Sequence, residues 1–482
     1  MKLKLPWLQK VTLVAIFSFM VLMWSGLGRD YLYDWDEGIY SVIGREMQQS
    51  GNLLIPTWNG ALWLEKPPVI AWVTALGIQF AGDNELGARL FMPLFAGLTL
   101  YAIFKLGEKL GGTLMGSASA AMLGYLNLFV SRARTLNTDG MLLAAIAWSS
   151  WLLVSGAQPW AVGIAMGLAI MVKGPAGAMA ILITLPLLFK KDKKFILNLI
   201  EVITLIIIPW HLYAYLKHGW DFVNPYFMEQ VLRRATVPIE FHMESRWFYF
   251  NFLYKDLGIG VVLVSIFGLA MMFKKWVQKH KLDELTVVMW WVILPIIVFT
   301  LAKTRLSWYI LPVYPAIALS IGYVLNYFAD SKKSKVVLSI LAVGMLAQML
   351  WNGYRYVEPA RSATPLSEIL QVARSLSIYH GEDLAMLVSS SERVAEAILP
   401  VDQTISSSFR YGGAPSVVWY SNKHVIYYYN YDLFKLEALQ NLSITTLIVS
   451  ITDADKVPPT FRLVTTTPSY LGYVRESTYA LR

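Results

Sequence analysis

The chain has 482 residues, 56% of them hydrophobic and 15% charged, with a mean hydropathy of +0.49 and a formal charge of +9. A charged fraction so far below the roughly 25% of soluble domains excludes an ordinary soluble protein, and the absence of cysteine excludes disulfides, thiol catalysis and thiolate metal sites. The positive charge sits in lysine clusters between apolar stretches, with no aromatic-basic module beside it, so it reads as membrane topology and no nucleic-acid partner is expected.

Residues 1–10 are basic and 11–28 apolar, the charge pattern of a signal peptide but without a small-residue cleavage site. The segment is expected to be a retained first span. Stretches near the roughly 20 residues that a spanning helix needs fall at 9–28, 86–107, 112–131, 138–157, 159–173, 174–189, 195–216, 256–273, 285–302, 306–329 and 335–352. They predict about eleven transmembrane helices. Lys173-Gly174-Pro175 interrupts a single apolar run, and only that break divides 159–189 in two. Residues 69–81 are apolar but too short to cross, and are expected to form an interfacial amphipathic helix within a first outer loop at 29–85.

With a cytoplasmic N-terminus, the inner loops collect Lys105 and Lys109, then Lys190, Lys191, Lys193 and Lys194, then Lys274, Lys275, Lys279 and Lys281, then Lys332, Lys333 and Lys335. This concentration in short loops sets the expected orientation. Hydropathy falls over 353–482, where 365–380 reads as an amphipathic helix and 384–389, 424–429 and 445–450 read as strands. The expected fold is an α-helical polytopic membrane protein with its transmembrane domain at 1–352. A small α/β domain at 353–482 follows, outside the cytoplasm.

This topology gathers Asp36, Glu37, Glu65, Lys66, Arg132, Arg134, Asp139, Lys173, Arg233, Arg234, His242, Lys303 and Arg305 on the outer face. Each ionisable group costs about 2.5–3.5 kcal/mol or more at the bilayer centre, so one-sided clustering points to a site at the outer interface. In Asp34-Trp35-Asp36-Glu37, Asp36 is a candidate general base with Glu37 as a supporting carboxylate, or the run is a solvated helix cap. In Glu65-Lys66-Pro67-Pro68 the prolines hold Lys66 extended, as a phosphate-binding cation oriented by Glu65, or they simply end a loop. Asp139 is a site carboxylate or a helix cap. Lys173 lies at the break of an apolar run, where snorkelling is the alternative. Arg132, Arg234 and His242 are further candidate contacts. Lys303 and Arg305, before Trp308-Tyr309, form a phosphate clamp or snorkel to the interface.

These residues carry a resemblance. Asp36-Glu37 with Tyr40, Arg45-Glu46-Met47, Ser50-Gly51-Asn52, Pro56, Glu65-Lys66-Pro67-Pro68, Ala88-Arg89, Thr138-Asp139, Lys173-Gly174-Pro175, Pro209-Trp210 and Tyr309-Ile310-Leu311-Pro312 make the membrane part similar to one group of enzymes. It resembles the polyprenyl-phosphate-dependent glycosyltransferases of the C-type superfold, in the protein O-mannosyltransferase and lipid A aminoarabinose transferase group. The resemblance implies an inverting transferase in the bacterial inner membrane, with its active site facing the periplasm or exterior. It would take a sugar from a polyprenyl phosphate, such as undecaprenyl phosphate, and pass it to an acceptor hydroxyl or phosphate on a lipid, glycan or protein of the cell envelope. Asp36 would be the base, with cations near Lys66, and Tyr40 and Tyr309, contacting the donor. No cofactor is expected, and a divalent metal stays open. Ile39 stands where aminoarabinose transferases commonly carry arginine, which argues against an aminoarabinose donor and a lipid A acceptor. The readings from other classes are a secondary transporter of a lipid or small solute and a non-catalytic envelope assembly factor. A transporter typically has midplane ligand groups and repeated halves, and neither is visible here.

Overall fold

The computed structural model describes residues 5–237, 244–279, 283–358, 366–388 and 411–478. Among them, nine helices are long and apolar enough to cross a bilayer: Pro6–Trp24, Glu85–Gly111, Thr138–Ser155, Pro159–Leu188, Lys193–His218, Phe248–Gln278, Glu284–Leu301, Ser307–Tyr327 and Lys332–Val357. The protein is therefore a helical polytopic membrane protein.

The difference from eleven has two local causes. The 112–131 stretch forms two helices, Thr113–Tyr125 and Asn127–Arg132, because Leu126 is extended between them (φ −72°, ψ 129°). Its first 13 residues reach only about 20 Å. The 159–189 stretch counts once but has two legs, Pro159–Lys173 and Met179–Leu188, separated by the tight turn Gly174–Ala178. Gly163 lies on Val202 and Gly167 on Ile206, so Pro159–Lys173 and Lys193–His218 run in the same direction and the chain between them doubles back. The turn needs its glycines: Gly174 sits at φ 57°, and a Cβ on Gly177 would fall 2.1 Å from the Ala169 carbonyl oxygen.

Two short helices brace the first loop. Asp36–Ser50 ends at Gly51 in the left-handed conformation, and Val69–Ala81 is the expected helix too short to cross. They pack closely where Gly44 meets Thr74.

The C-terminal part is a mixed five-stranded sheet in the order His424–Tyr428, Asp383–Leu387, Ile444–Ser450, Tyr470–Arg475, Phe461–Thr466. The first three strands are parallel and the last two form an antiparallel hairpin. The three strands read from sequence are present within two residues of their expected bounds. The hairpin was not expected, because Phe461–Thr466 is mostly exposed and lacks an alternating apolar face. The helix expected at 365–380 is shorter, Glu368–Leu376.

Candidate active site

A cavity of about 1070 Å³ opens where the first loop meets the ends of the spanning helices. Its lining takes in Asp36, Glu37, Tyr40, Glu65, Lys66, Arg132, Asp139, Lys173, Arg234 and Tyr309. The site residues expected from sequence therefore converge from six separate stretches of chain. Five do not join them. Arg134 donates to the Met23 and Ser25 carbonyl oxygens and Arg233 pairs with Glu229. Lys303 is exposed and outside the lining. Arg305 is buried and donates to the carbonyl oxygens of Glu244 and Thr300, which ties two chain segments together and directs its guanidinium away from the cavity. His242 lies outside the described residues.

The adjacent carboxylates differ sharply. Glu37 is 2% exposed and fully engaged: Arg89 donates from Nε (2.7 Å) and Nη2 (2.6 Å), Leu136 N donates at 2.6 Å and Tyr33 N at 2.8 Å. It joins the first loop to the start of one spanning helix and to the turn before another, so no lone pair is left pointing into the cavity for proton transfer. Asp36 is open. Its side chain is 37% exposed, its single ion-pair contact among the described residues is Arg132 Nη1 at 4.0 Å, and it accepts no hydrogen bond from them. Arg132 is itself stacked 4.5 Å over the Trp308 ring.

The cations sort in the same way. Lys173 is ion-paired with Asp139, so much of its charge is already met. Asp139 thereby has a role beyond a helix cap, and Asn137 provides the cap by accepting from Gly140 N. Arg234 donates to the Tyr309 hydroxyl at 3.0 Å. Lys66 makes neither an ion pair nor a hydrogen bond with the described residues, and its ammonium lies 5.3 Å from the Tyr40 ring and 5.6 Å from the Trp63 ring. Burial pulls its pKa below the usual lysine value, Glu65 and Asp36 oppose that shift, and Arg234 and Lys173 add to it. Burial, with Asp36 nearby, raises the Tyr40 hydroxyl, which is hydrogen-bonded to Thr138. The result is a pocket in which an anion would relieve the crowding of Lys66, Lys173 and Arg234.

Glu65 is held on both oxygens, by Tyr411 Oη at 2.8 Å and Gln230 Nε2 at 2.9 Å. Neither partner was legible in the sequence, since they lie 346 and 165 residues away in the chain. Tyr226 also lines the cavity unannounced, with its hydroxyl 2.6 Å from His211 Nε2.

Residues 65–213 match the family model described as dolichyl-phosphate-mannose-protein mannosyltransferase. An uncharacterized protein of Aquifex aeolicus (strain VF5) is 27% identical over 365 residues, covering 71% of this chain and 70% of that protein. An undecaprenyl phosphate-alpha-4-amino-4-deoxy-L-arabinose arabinosyl transferase 1 of Pseudomonas fluorescens (strain Pf0-1) is 26% identical over 341 residues, covering 67% of this chain but only 58% of that enzyme. In fold, the crystal structure of ArnT from Cupriavidus metallidurans bound to undecaprenyl phosphate superposes with a TM-score of 0.70 at 16% identity, covering 95% of this chain and 97% of that one.

Proposed function

We propose that the chain, a membrane protein similar in motifs, relatives and fold to polyprenyl-phosphate glycosyltransferases, moves a sugar from a polyprenyl-phosphate donor to an acceptor hydroxyl, with inversion. The observation that carries this reading is the cavity itself. It holds one carboxylate without a hydrogen bond among the described residues, Asp36, together with half-buried cations led by Lys66.

The reaction is a single displacement. Asp36 takes the proton of the acceptor hydroxyl, and that oxygen bonds to the anomeric carbon. The bond from that carbon to the phosphate oxygen breaks, and its electron pair leaves with the lipid phosphate. The phosphate passes from a singly charged diester toward a doubly charged monoester, so negative charge grows on the leaving group. Lys66 and Arg234, with Lys173 behind them, stabilise that growing charge more than the bound donor. Arg132, 4.0 Å from Asp36, lines the cavity beside it. Tyr40 and Tyr309 wall the donor position.

The wider reading follows. The chain makes eleven crossings, counting 112–131 and both legs of 159–189, and sits in a bacterial inner membrane with the cavity and the domain after residue 352 on the outer side. The lysine loops then face the cytoplasm, as their positive bias favours. Ile39 in place of arginine supports a donor sugar other than aminoarabinose.

The test is mass spectrometry of polyprenyl-phosphate sugars and envelope glycans from cells carrying wild type or Asp36→Asn. Accumulation of one donor with loss of one glycan is expected, and it would name both substrates. Unchanged profiles, with the variant present in the membrane at wild-type level, would overturn the proposal.

A further inference from the structure

Asp36 is aimed by its backbone, since no hydrogen bond from the described residues fixes its carboxylate. That backbone is strained: Trp35, which precedes it, sits at φ 68° and ψ −112°, a conformation that costs of order 1–3 kcal/mol for a residue with a side chain. The Asp36–Ser50 helix also begins without a side-chain cap. Strain of this kind persists only where neighbours hold it, and here the neighbours come from the C-terminal domain.

The 411–421 segment lies directly against this turn. Ser416 N donates to Asp34 Oδ1 at 3.1 Å, and Ser416 is packed so closely on Gly38 that a Cβ there would fall 2.3 Å from its hydroxyl. The Tyr411 ring meets Trp35 edge-on at 6.5 Å and Trp58 at 4.7 Å. Its hydroxyl accepts from Trp63 Nε1 at 2.7 Å and donates to Glu65 at 2.8 Å. Tyr411 is 1% exposed to solvent and lines the cavity. One residue of the C-terminal domain thus touches both the turn that aims Asp36 and the carboxylate beside Lys66. More widely the domain is anchored where Arg45 donates to Trp419 O and Tyr420 Oη donates to Glu85, so the segment is pinned at both ends.

We propose that the C-terminal domain forms one wall of the active site, with Tyr411 a positioning residue that sets Glu65 and the Trp35 turn, and through them Lys66 and Asp36. This rests on the transferase reading above. The role is geometric: no proton passes through Tyr411, whose own proton is committed to Glu65.

The experiment uses full-length protein and the donor identified by the glycan comparison, with wild type and Asp36→Asn as bounds. Transfer by wild type and its loss in Asp36→Asn establish the reaction independently of Tyr411. Tyr411→Phe keeps the ring packing and removes only the hydroxyl. It is expected to lower kcat about tenfold per folded molecule, with KM for the donor within twofold and a lower thermal midpoint, because the buried Trp63 N–H loses its acceptor. Adding Tyr411→Phe to Glu65→Gln should cost nothing further, because the two residues act as a unit. Gly38→Ala, which pushes Ser416 off the turn, should reproduce the kcat loss. Wild-type kcat in Tyr411→Phe, or a full additional loss in the Glu65→Gln background, would overturn the proposal while leaving the transferase reading intact.

Discussion

Asp36 and Glu37 are neighbours in sequence, yet replacing each by its amide should fail in opposite ways. Glu37→Gln leaves Arg89 with an uncompensated charge where both side chains are 3% exposed. It also sets an NH2 group among the four donors that now meet the two carboxylate oxygens. Breaking a buried pair by removing one partner costs about 3–5 kcal/mol. Arg89 keeps the carbonyls of Leu27, Asp30 and Tyr31 as partners, which holds the expected loss to the lower half of that range. Asp36→Asn removes only a long contact with Arg132 from a group that is 37% exposed. Pairs of that kind are worth about 0–1 kcal/mol, so stability should hardly move while turnover falls about 100-fold or more. The assay is thermal denaturation of purified protein in detergent, followed by monodispersity, together with turnover per folded molecule. Glu37→Gln should lose folded protein at lower temperature and keep measurable turnover in what survives. A Glu37→Gln variant as stable as wild type but inactive would refute the assignment and make Glu37 a chemical group.

Three further outcomes follow from the same geometry. Burial holds the Lys66 pKa below its usual value in the free protein, and a bound phosphodiester favours the charged form, so binding raises that pKa again. Donor affinity should then be flat below the free-state pKa and weaken as pH rises through it toward the ordinary lysine range. Between the free and bound values binding takes up a proton, which calorimetry in buffers of different ionisation enthalpy measures; proton release, or no exchange, would refute the assignment. Gly177→Ala drives a Cβ into the backbone at Ala169 and Ile170 and should lower the yield of folded protein, since overpacking costs about 1–3 kcal/mol. Gly344→Ala, with open space around it in a helix interior, should be neutral or stabilising by up to about 1 kcal/mol, and thermal midpoints compare the two. Lys303→Ala should change donor affinity less than twofold, whereas Arg305→Ala should lower the thermal midpoint, because it frees the Glu244 and Thr300 carbonyls; a large loss of donor affinity on replacing Lys303 would put it back in the site.

What was legible in the sequence is what local signals carry. Hydropathy located the nine long helices, and Lys173-Gly174-Pro175 marked a turn that the structure uses. The break divided 159–189 into two expected spans, and the packing of Gly163 and Gly167 on Val202 and Ile206, some forty residues further along and in matching order, agrees with the reversal. The candidate site shows the same division. Motif reading found the charged residues, and ten of the fifteen residues named for the site line one cavity. Which of them are free to act depends on partners that local sequence does not announce: Arg89 for Glu37, 52 residues away, Lys173 for Asp139, 34 residues away, and Tyr411 for Glu65, 346 residues away.

That dependence has a physical basis. A charge buried beside hydrocarbon must be met by an opposite charge or by hydrogen bonds, and several charged residues around the cavity satisfy one another. Glu37, Asp139 and Arg305 are charges of this kind, and each fastens two elements together. On the proposed reading, chemistry falls to those that the pairing leaves over. Asp36 and Lys66 are enclosed by the same framework, and neither accepts nor donates a hydrogen bond to a described residue. Asp36 lies close enough to favour the charged form of Lys66, yet the two are not paired. On the proposed reading, a donor phosphate would meet Lys66 and an acceptor hydroxyl would meet Asp36, so the two groups left unpaired are the two that the reaction uses.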